Sequence, residues 1–167
     1  EYEGGEYFYN NPFDRKFAGF AKVTKTDSDG NKTVQFFHQG DGSATQFGEY
    51  QDQKSKINLV YREENYDTSN NLYKLTLNKW DRADLGNERN FIFKSQAVQM
   101  DYDGNSTHRD RAQTFSYNTV NGNLTQAKYW GEVSAADDGT FTDTGADSIT
   151  TDYSYATSAT DPNLSLV

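Results

Sequence analysis

The chain has 167 residues, and its 16 basic and 25 acidic side chains give a net charge of −9. This balance disfavours nucleic acid or an anionic membrane surface as the main partner, because both require clustered lysine and arginine. No apolar stretch approaches the roughly 18 residues of a membrane-spanning helix. The absence of cysteine excludes disulfides, a thiolate metal site and a cysteine nucleophile.

The apolar residues favour strands over helices. Leu, Ile and Val total 18 residues, whereas Phe, Tyr and Trp total 25. Segments that stay unfolded are poor in aromatic residues, and aromatic side chains suit strands. Because each aromatic side chain buries about 150–250 Å², we expect an ordered all-β fold with an aromatic core. Its architecture is predicted to be successive antiparallel hairpins that form a twisted, extended sheet.

The first predicted hairpin pairs residues 17–26 with residues 32–38. Between them, Asp-Ser-Asp-Gly-Asn at 27–31 is typical of a tight turn, because these residue types tolerate the backbone angles of a chain reversal. Residues 39–55 are polar, contain several glycines and show no periodicity. They are expected to form a long loop with a short extended piece around residues 47–50.

The second predicted hairpin joins residues 57–66 to residues 72–80. In its second strand Tyr73, Leu75 and Leu77 alternate with polar side chains. A period of two residues is typical of a strand with one buried and one solvated face.

The rest of the chain continues as strands, without the periodicity of an amphipathic helix. The predicted segments are a polar connection at 81–88, a long strand at 90–102, a charged stretch at 108–111, paired strands at 113–117 and 123–132, a flexible acidic loop at 135–147, and a last strand at 148–155.

A short motif recurs along the chain. Residues 66–72 read Tyr-Asp-Thr-Ser-Asn-Asn-Leu, and residues 117–124 give a variant with one extra turn residue. A third, degenerate copy runs from Tyr153 to Leu164. In each copy an aromatic residue ends one strand, turn residues reverse the chain, and Leu opens the next strand. Hairpins of this kind stack into a continuous sheet.

These motifs resemble the RHS/YD-repeat family, whose hallmark is Tyr-Asp-x-x-Gly-Arg-Leu. Asn70 and Asn71 stand where the family has Gly and Arg, whereas the second copy keeps Gly122 but lengthens the turn. The N-terminal part is similar to the segment that precedes the repeats in Tc-toxin B components and related bacterial secreted proteins. That similarity is carried by Phe-Ala-Gly-Phe-Ala-Lys-Val at 17–23, Asp-Gly-Asn at 29–31, Phe-Phe-His-Gln-Gly at 36–40 and Trp80.

The resemblance implies a sheet that spirals into a hollow shell around a toxin or effector. The chain would then be a non-enzymatic wall section of a longer secreted or cell-surface protein. Residues 1–56 would precede the repeats, residues 57–167 would form repeat hairpins, and the two parts would make one continuous unit. The expected partners are neighbouring repeats and the enclosed effector polypeptide. Alone, such a fragment is expected to be marginally stable or to associate through its exposed sheet edges.

The two histidines are weak candidates for catalysis. A Ser-His-Asp arrangement can be drawn from Ser43, His38 and Asp41, but no Gly-x-Ser-x-Gly motif supports it. We interpret His38 and His108 as half-exposed strand or loop residues.

Two stretches have the form Asp-x-Asp-Gly-Asn, at residues 27–31 and 101–105. Alternating oxygen ligands around a glycine suit Ca²⁺, but an EF-hand loop needs Glu at its twelfth position. His38 and Ala112 occupy those positions. We interpret both stretches as hairpin turns, although an ion at either remains an open alternative.

The alternative function is an extracellular β-sandwich that binds glycans. Exposed Trp80 and Trp130 would stack on sugar rings, and paired carboxylates would suggest a glycosidase. Because 25 acidic residues form pairs by chance, the carboxylates carry little weight. The sequence therefore predicts no catalytic, cofactor-binding or metal-binding residue, and no cofactor.

Overall fold

A computed structural model of the chain describes residues 1–11, 14–40, 53–157 and 165–166. Within these ranges the chain forms strands and one short 3₁₀ helix, Lys54–Lys56. The strands are β1 (Tyr2–Asn11), β2 (Asp14–Thr26), β3 (Lys32–Phe37), β4 (Val60–Tyr66), β5 (Leu72–Asp84), β6 (Asn90–Asp101), β7 (Arg109–Tyr117), β8 (Leu124–Ala135), β9 (Phe141–Asp143), β10 (Ile149–Asp152), β11 (Ala156–Thr157) and β12 (Ser165–Leu166). No helix in the described ranges is long and apolar enough to cross a membrane.

One extended antiparallel sheet contains ten of the strands. Strands β1 to β8 lie side by side in chain order, and β9 and β10 both pair with the far side of β8. Strand β9 pairs with residues 133–135 and β10 with residues 126–129. Strands β11 and β12 form a separate ribbon. The predicted all-β fold of successive hairpins is therefore confirmed.

One face of this sheet carries the buried core, and we call it the core face. Successive side chains of a strand point to opposite faces, so register partners share a face. One row of partners on the core face is Val34, Glu64, Leu75, Met100, Asp110 and Val133. The buried apolar cluster is Leu75, Leu77, Val98, Met100, Ala112 and Val133. The centre of the core is thus aliphatic, and the expectation of an aromatic core is wrong there.

Aromatic side chains lie at the margins of that cluster. Trp130 and Phe141 pack against it with ring centroids 5.5 Å apart. The turn between β8 and β9 reaches back over the core face, since Gln96 Nε2 donates to the Gly139 carbonyl at 2.6 Å. A Cβ added at Gly139 would lie 3.8 Å from side-chain atoms of Leu77. The core face is therefore partly covered by the chain itself.

The opposite face is polar across the middle strands of the sheet, and we call it the open face. Its two rows of register partners are Val23, Gln35, Glu63, Thr76, Gln99, Arg111 and Glu132, and Lys25, Thr33, Asn65, Lys74, Asp101 and Arg109. None of these residues is buried. Cross-strand hydrogen bonds link them, including Gln35 Nε2 to Glu63 at 2.7 Å and Thr33 Oγ1 to Asn65 at 3.0 Å.

The predicted hairpins are confirmed, and several strands extend further than predicted. Strand β5 continues to Asp84 and β7 begins at Arg109, where the sequence predicted a polar connection and a charged stretch. The β5 extension pairs with residues 90–93 of β6, and the β7 extension pairs with residues 99–101 at its other end. Conversely, β4 begins only at Val60, because Leu59 N–H donates to the Lys56 carbonyl and closes a turn there.

One prediction near the far edge of the sheet is wrong, and one edge strand was not predicted. The predicted flexible loop at 135–147 contains a tight turn and β9, whose Phe141 packs on the core. Strand β1 was missed altogether. The extended piece predicted around residues 47–50 and most of the turn of the third motif copy lie outside the described residues.

Candidate functional site

A group of cationic side chains lies on the open face of β5 and β7. Asp101 has Lys74 and Arg109 as its direct register partners on the two neighbouring strands. The Arg111 guanidinium lies 3.4 Å from Asp101, and the Arg111 side chain is 50% exposed. Three cations therefore surround one carboxylate, and we call Lys74, Arg109 and Arg111 the cation cluster.

An apolar groove adjoins this cluster on β7, β8 and β10. It has a volume of about 220 Å³ and is lined by Phe115, Tyr129 and Ile149, among others. Ile149 is 64% exposed. A smaller hollow of about 130 Å³ shares Tyr129 and reaches Arg111. We call Phe115, Tyr129 and Ile149 the aromatic groove. A concave apolar surface with a few polar groups beside it is typical of a binding site.

Sequence reasoning missed this site, although a signal was present. Arg109, Arg111, Gln113 and Phe115 alternate along the chain and lie on one face once β7 is known to begin at Arg109. Treating residues 108–111 as a charged connection hid that alternation. Ile149 joins the site only through the pairing of β10 with β8.

His38 is not the half-exposed residue that the sequence predicted. It is completely buried, and its ring centroid lies 5.1 Å from that of Tyr61. Its backbone N–H donates to the Leu59 carbonyl at 3.0 Å. The other members of the proposed triad, Asp41 and Ser43, lie outside the described residues.

His108 joins a buried carboxylate that has a structural role. His108 Nδ1 hydrogen-bonds to Asp110 Oδ1, and the imidazole lies 4.7 Å from the Tyr102 ring. Asp110 Oδ2 accepts the Ala135 N–H at 2.8 Å. Asp110 Oδ1 therefore holds the His108 ring beside the start of β7, and Oδ2 joins β7 to the end of β8. Burial, followed by the charges of Asp137 and Asp110, raises the pKa of Tyr102.

The Asp-rich stretches form turns, and in the first one the Asp27 carboxylate accepts hydrogen bonds from the turn itself. Asp27 Oδ1 accepts the backbone N–H groups of Asp29 and Asn31, both at 2.9 Å. The side-chain hydrogen bond from Asn31 is the largest cause that lowers the pKa of Asp27. In the second stretch Asp101 accepts from Gln99 at 2.8 Å. No group of three or more potential metal ligands occurs in the part of the chain that the structure describes.

The two tryptophans are half-buried, and the prediction of exposed stacking surfaces is wrong. Trp80 Nε1 donates to the Val60 carbonyl at 2.9 Å, and Trp130 Nε1 donates to Thr114 Oγ1 at 3.0 Å. A lysine ammonium also lies over each indole, at 5.3 Å for Trp80 and 3.2 Å for Trp130. Each indole N–H and one side of each ring therefore interact with other residues of the chain.

In the described part of the chain the two buried carboxylates, Glu64 and Asp110, do not form a close pair. Glu64 accepts from Arg62 Nε at 2.6 Å and from the Tyr66 hydroxyl at 2.8 Å. Burial and this hydrogen bond raise the pKa of Tyr66 to about 12. Asp110 occupies the same row three strands away. At about 4.8 Å per strand the two lie roughly 14 Å apart, wider than the roughly 5–9.5 Å of glycosidase pairs.

Comparisons of the chain with protein-family models, curated proteins and solved structures gave no match. The sheet, its edges and the surfaces described above are therefore the features that bear on function. The relationship to the YD-repeat family is a proposal on the same footing.

Proposed function

We propose that the chain is a non-enzymatic wall section of an RHS/YD-repeat shell in a secreted or cell-surface protein. In that role it encloses or presents a toxin or effector, and its partners are neighbouring repeats and that polypeptide. The observation that carries the proposal is the sheet itself. Its strands follow chain order from β1 to β8, and both lateral edges are free of further strands among the described residues.

The hydrogen-bond pattern shows which edge groups remain available to a neighbouring strand. Tyr153 N–H donates to the Thr125 carbonyl at 2.9 Å. Since bonded and outward residues alternate in an antiparallel ladder, Thr150 and Asp152 direct their N–H and C=O groups away from β8. At the other edge Glu1 and Thr24 exchange hydrogen bonds of 2.8 and 2.9 Å. Tyr2 therefore directs its backbone groups outward.

Exposed aromatic side chains accompany the β1 edge. Tyr2 is 66% exposed, Tyr7 is 56% exposed and Tyr9 is 59% exposed. Clustered apolar surface of this kind is typical of a surface that another element covers. A neighbouring repeat would cover both the aromatic side chains and the unpaired backbone.

A recurring turn also supports a repeat architecture. Residues 27–31 and 67–71 use the same Asp-to-Asn hydrogen bonds, and the two turns lie at the same end of the sheet. Lys32 Nζ donates to Asn70 Oδ1 at 2.7 Å and so links the first hairpin to the second. The motif copy at 117–124 turns differently, since Asn118 Oδ1 accepts the Val120 N–H at 2.9 Å. The shared turn therefore relates the first two hairpins, and such lateral contact between similar hairpins is typical of repeat proteins.

The glycan-binding alternative has lost its main support, because both indole rings are half-buried and already covered by lysine side chains. The acidic chain also favours a polypeptide partner over nucleic acid.

Electron microscopy of the full polypeptide that contains these residues tests the proposal. The expected image is a hollow shell whose wall includes residues 1–167. A separate sandwich domain attached to a solid particle would contradict the proposal. A glycan array probed with the 167-residue chain provides the second readout, and specific binding abolished by Trp80→Ala would favour the alternative.

A further inference from the structure

We propose that the cation cluster and the aromatic groove together bind an extended polypeptide with an acidic residue four positions from an apolar one. The acidic side chain would meet Arg111, and the apolar side chain would enter the groove beside Phe115. The inference rests on the proposed function only in naming the enclosed effector as the source of that polypeptide.

Charge complementarity favours an acidic partner at this surface. The two open-face rows hold four basic and three acidic side chains, so they carry a net positive charge on a chain of net charge −9. Arg111 contacts Asp101 through one terminal nitrogen at 3.4 Å and is half exposed. Its direct register partner on β8 is Glu132, but half of its side-chain surface is exposed to solvent. A guanidinium fork binds a carboxylate through two parallel hydrogen bonds.

The groove suits one apolar side chain. Its volume is about 220 Å³. Ile149 leaves most of its surface in water, and Phe115 and Tyr129 are half-buried. Covering this surface would remove apolar area from water, which favours association. A partner without an apolar side chain would leave this apolar surface exposed to water.

The spacing between the two parts defines the pattern in the partner. Arg111 and Phe115 lie four residues apart on the same face of β7, a distance of about 14 Å along a strand. An extended segment lying along β7 presents its residues i and i+4 to that face at the same spacing. Gln113 lies between them, with its amide exposed to the intermediate side chain.

Fluorescence anisotropy with synthetic peptides tests the inference on the 167-residue chain. The first probe is a labelled octapeptide of serine and threonine that carries one glutamate and, four positions later, one leucine. The second replaces glutamate by glutamine, and the third replaces leucine by serine. We expect the first probe to bind roughly tenfold more tightly than either of the others, as the loss of one charge-assisted or apolar contact predicts.

Three variants locate the contact on the protein. Arg111→Gln should weaken the first probe roughly tenfold, and Ile149→Thr should weaken it about threefold or more. Lys25→Gln removes the same charge from the open face of β2, far from the site, and should leave affinity within about twofold. Thermal melts confirm that each variant is folded. Both altered positions are exposed, so folding should persist.

The inference is overturned if the wild-type chain fails to bind the first probe, or if glutamine and glutamate probes bind equally. Equal losses from Arg111→Gln and Lys25→Gln would also overturn it, because they would show general attraction of anions to the face. Electron microscopy of the full polypeptide tests for the shell independently of peptide binding. A shell without peptide binding would remove only this inference, and peptide binding without a shell would remove only the proposed function.

Discussion

Three hydrogen bonds join Asp27 to Asn31 across the first hairpin turn. The Asp27 N–H donates to the Asn31 carbonyl at 3.0 Å, and the Asn31 backbone and side-chain N–H groups donate to the Asp27 carboxylate, each at 2.9 Å. Asp67 and Asn71 make the same three bonds in the second hairpin, at 3.1, 2.8 and 2.9 Å. The two turns are therefore closed by the same set of three hydrogen bonds.

The hydrogen bonds to the Asp27 carboxylate predict a contribution to stability that is lost in acid. The hydrogen bonds lower the pKa of Asp27 below its ordinary 3.8. A carboxyl whose folded pKa is depressed stabilises the fold above the unfolded pKa, and that contribution is lost as pH falls through the folded value. Asp27→Ala should lower the urea midpoint at neutral pH, with a smaller loss in acid. Asp29→Ala is the control, because that residue contributes only its backbone N–H to the turn. Equal losses from the two variants would contradict this account.

The raised pKa of Tyr66 predicts that the free energy of unfolding decreases at alkaline pH. Its pKa is raised to about 12 by burial and by the hydrogen bond to Glu64. Between about pH 10 and pH 12 the tyrosine ionises in the unfolded chain but stays protonated in the folded one. The folded state then binds more protons, so the free energy of unfolding should fall as pH rises. Tyr66→Phe should flatten that decline. Urea unfolding across this range measures it, and an unchanged slope in the variant would refute the prediction.

Gly131 predicts a steric effect that can be separated from backbone strain. Both Gly131 and Gly86 have positive φ, of 70° and 74°. A Cβ on Gly131 would collide with the Asp147 carboxylate, whereas a Cβ on Gly86 would meet nothing within 4 Å. Gly86→Ala should therefore cost about 1–2 kcal/mol for the left-handed backbone alone. Gly131→Ala should cost about 0.5–1.5 kcal/mol more, because the exposed Asp147 side chain must move aside and lose its hydrogen bond from the Glu132 N–H.

Urea unfolding of both variants measures these costs. The Asp147 carboxylate also accepts the Glu132 N–H at 3.1 Å, so its displacement would loosen β8 from the chain that follows β9. Equal costs at the two glycines would show that the Asp147 contact does not constrain the sheet.

The β10 edge predicts self-association that one proline should block. Thr150 directs its N–H outward, so Thr150→Pro removes an edge donor without removing a bond to β8. Thr151 pairs with Ala127, and Thr151→Pro should instead destabilise the strand. Sedimentation should show association of the wild-type chain that increases with salt, because both edges carry acidic residues. If the Thr150→Pro variant associates as strongly as the wild-type chain, the β10 edge is not the contact between molecules.

The hairpins could be predicted because local residues specify them. Leu75 and Leu77 alternate with polar side chains on β5, and Asp27 and Asn31 bracket a turn that needs no distant partner. Strand β1 could not be predicted, because Gly4, Gly5 and its acidic residues have low strand propensity. Pairing with the neighbouring β2 overrides that local preference.

The sites could be predicted less well, because they depend on register. Trp80 is half-buried since its indole N–H meets the Val60 carbonyl of another strand. His38 is buried because the chain returns across it at Leu59. The aromatic groove unites Phe115 with Ile149 through β8, and no local pattern relates those two positions.

Amide hydrogen exchange at the β10 edge tests most directly whether the sheet is a section of a longer wall. The outward N–H groups of Thr150 and Asp152 are compared with that of Thr151, which faces β8. In the full polypeptide all three should be protected, whereas in the 167-residue chain at low concentration only Thr151 should be. Rapid exchange of Thr150 and Asp152 in both would mean that no strand continues the sheet, and would contradict the account.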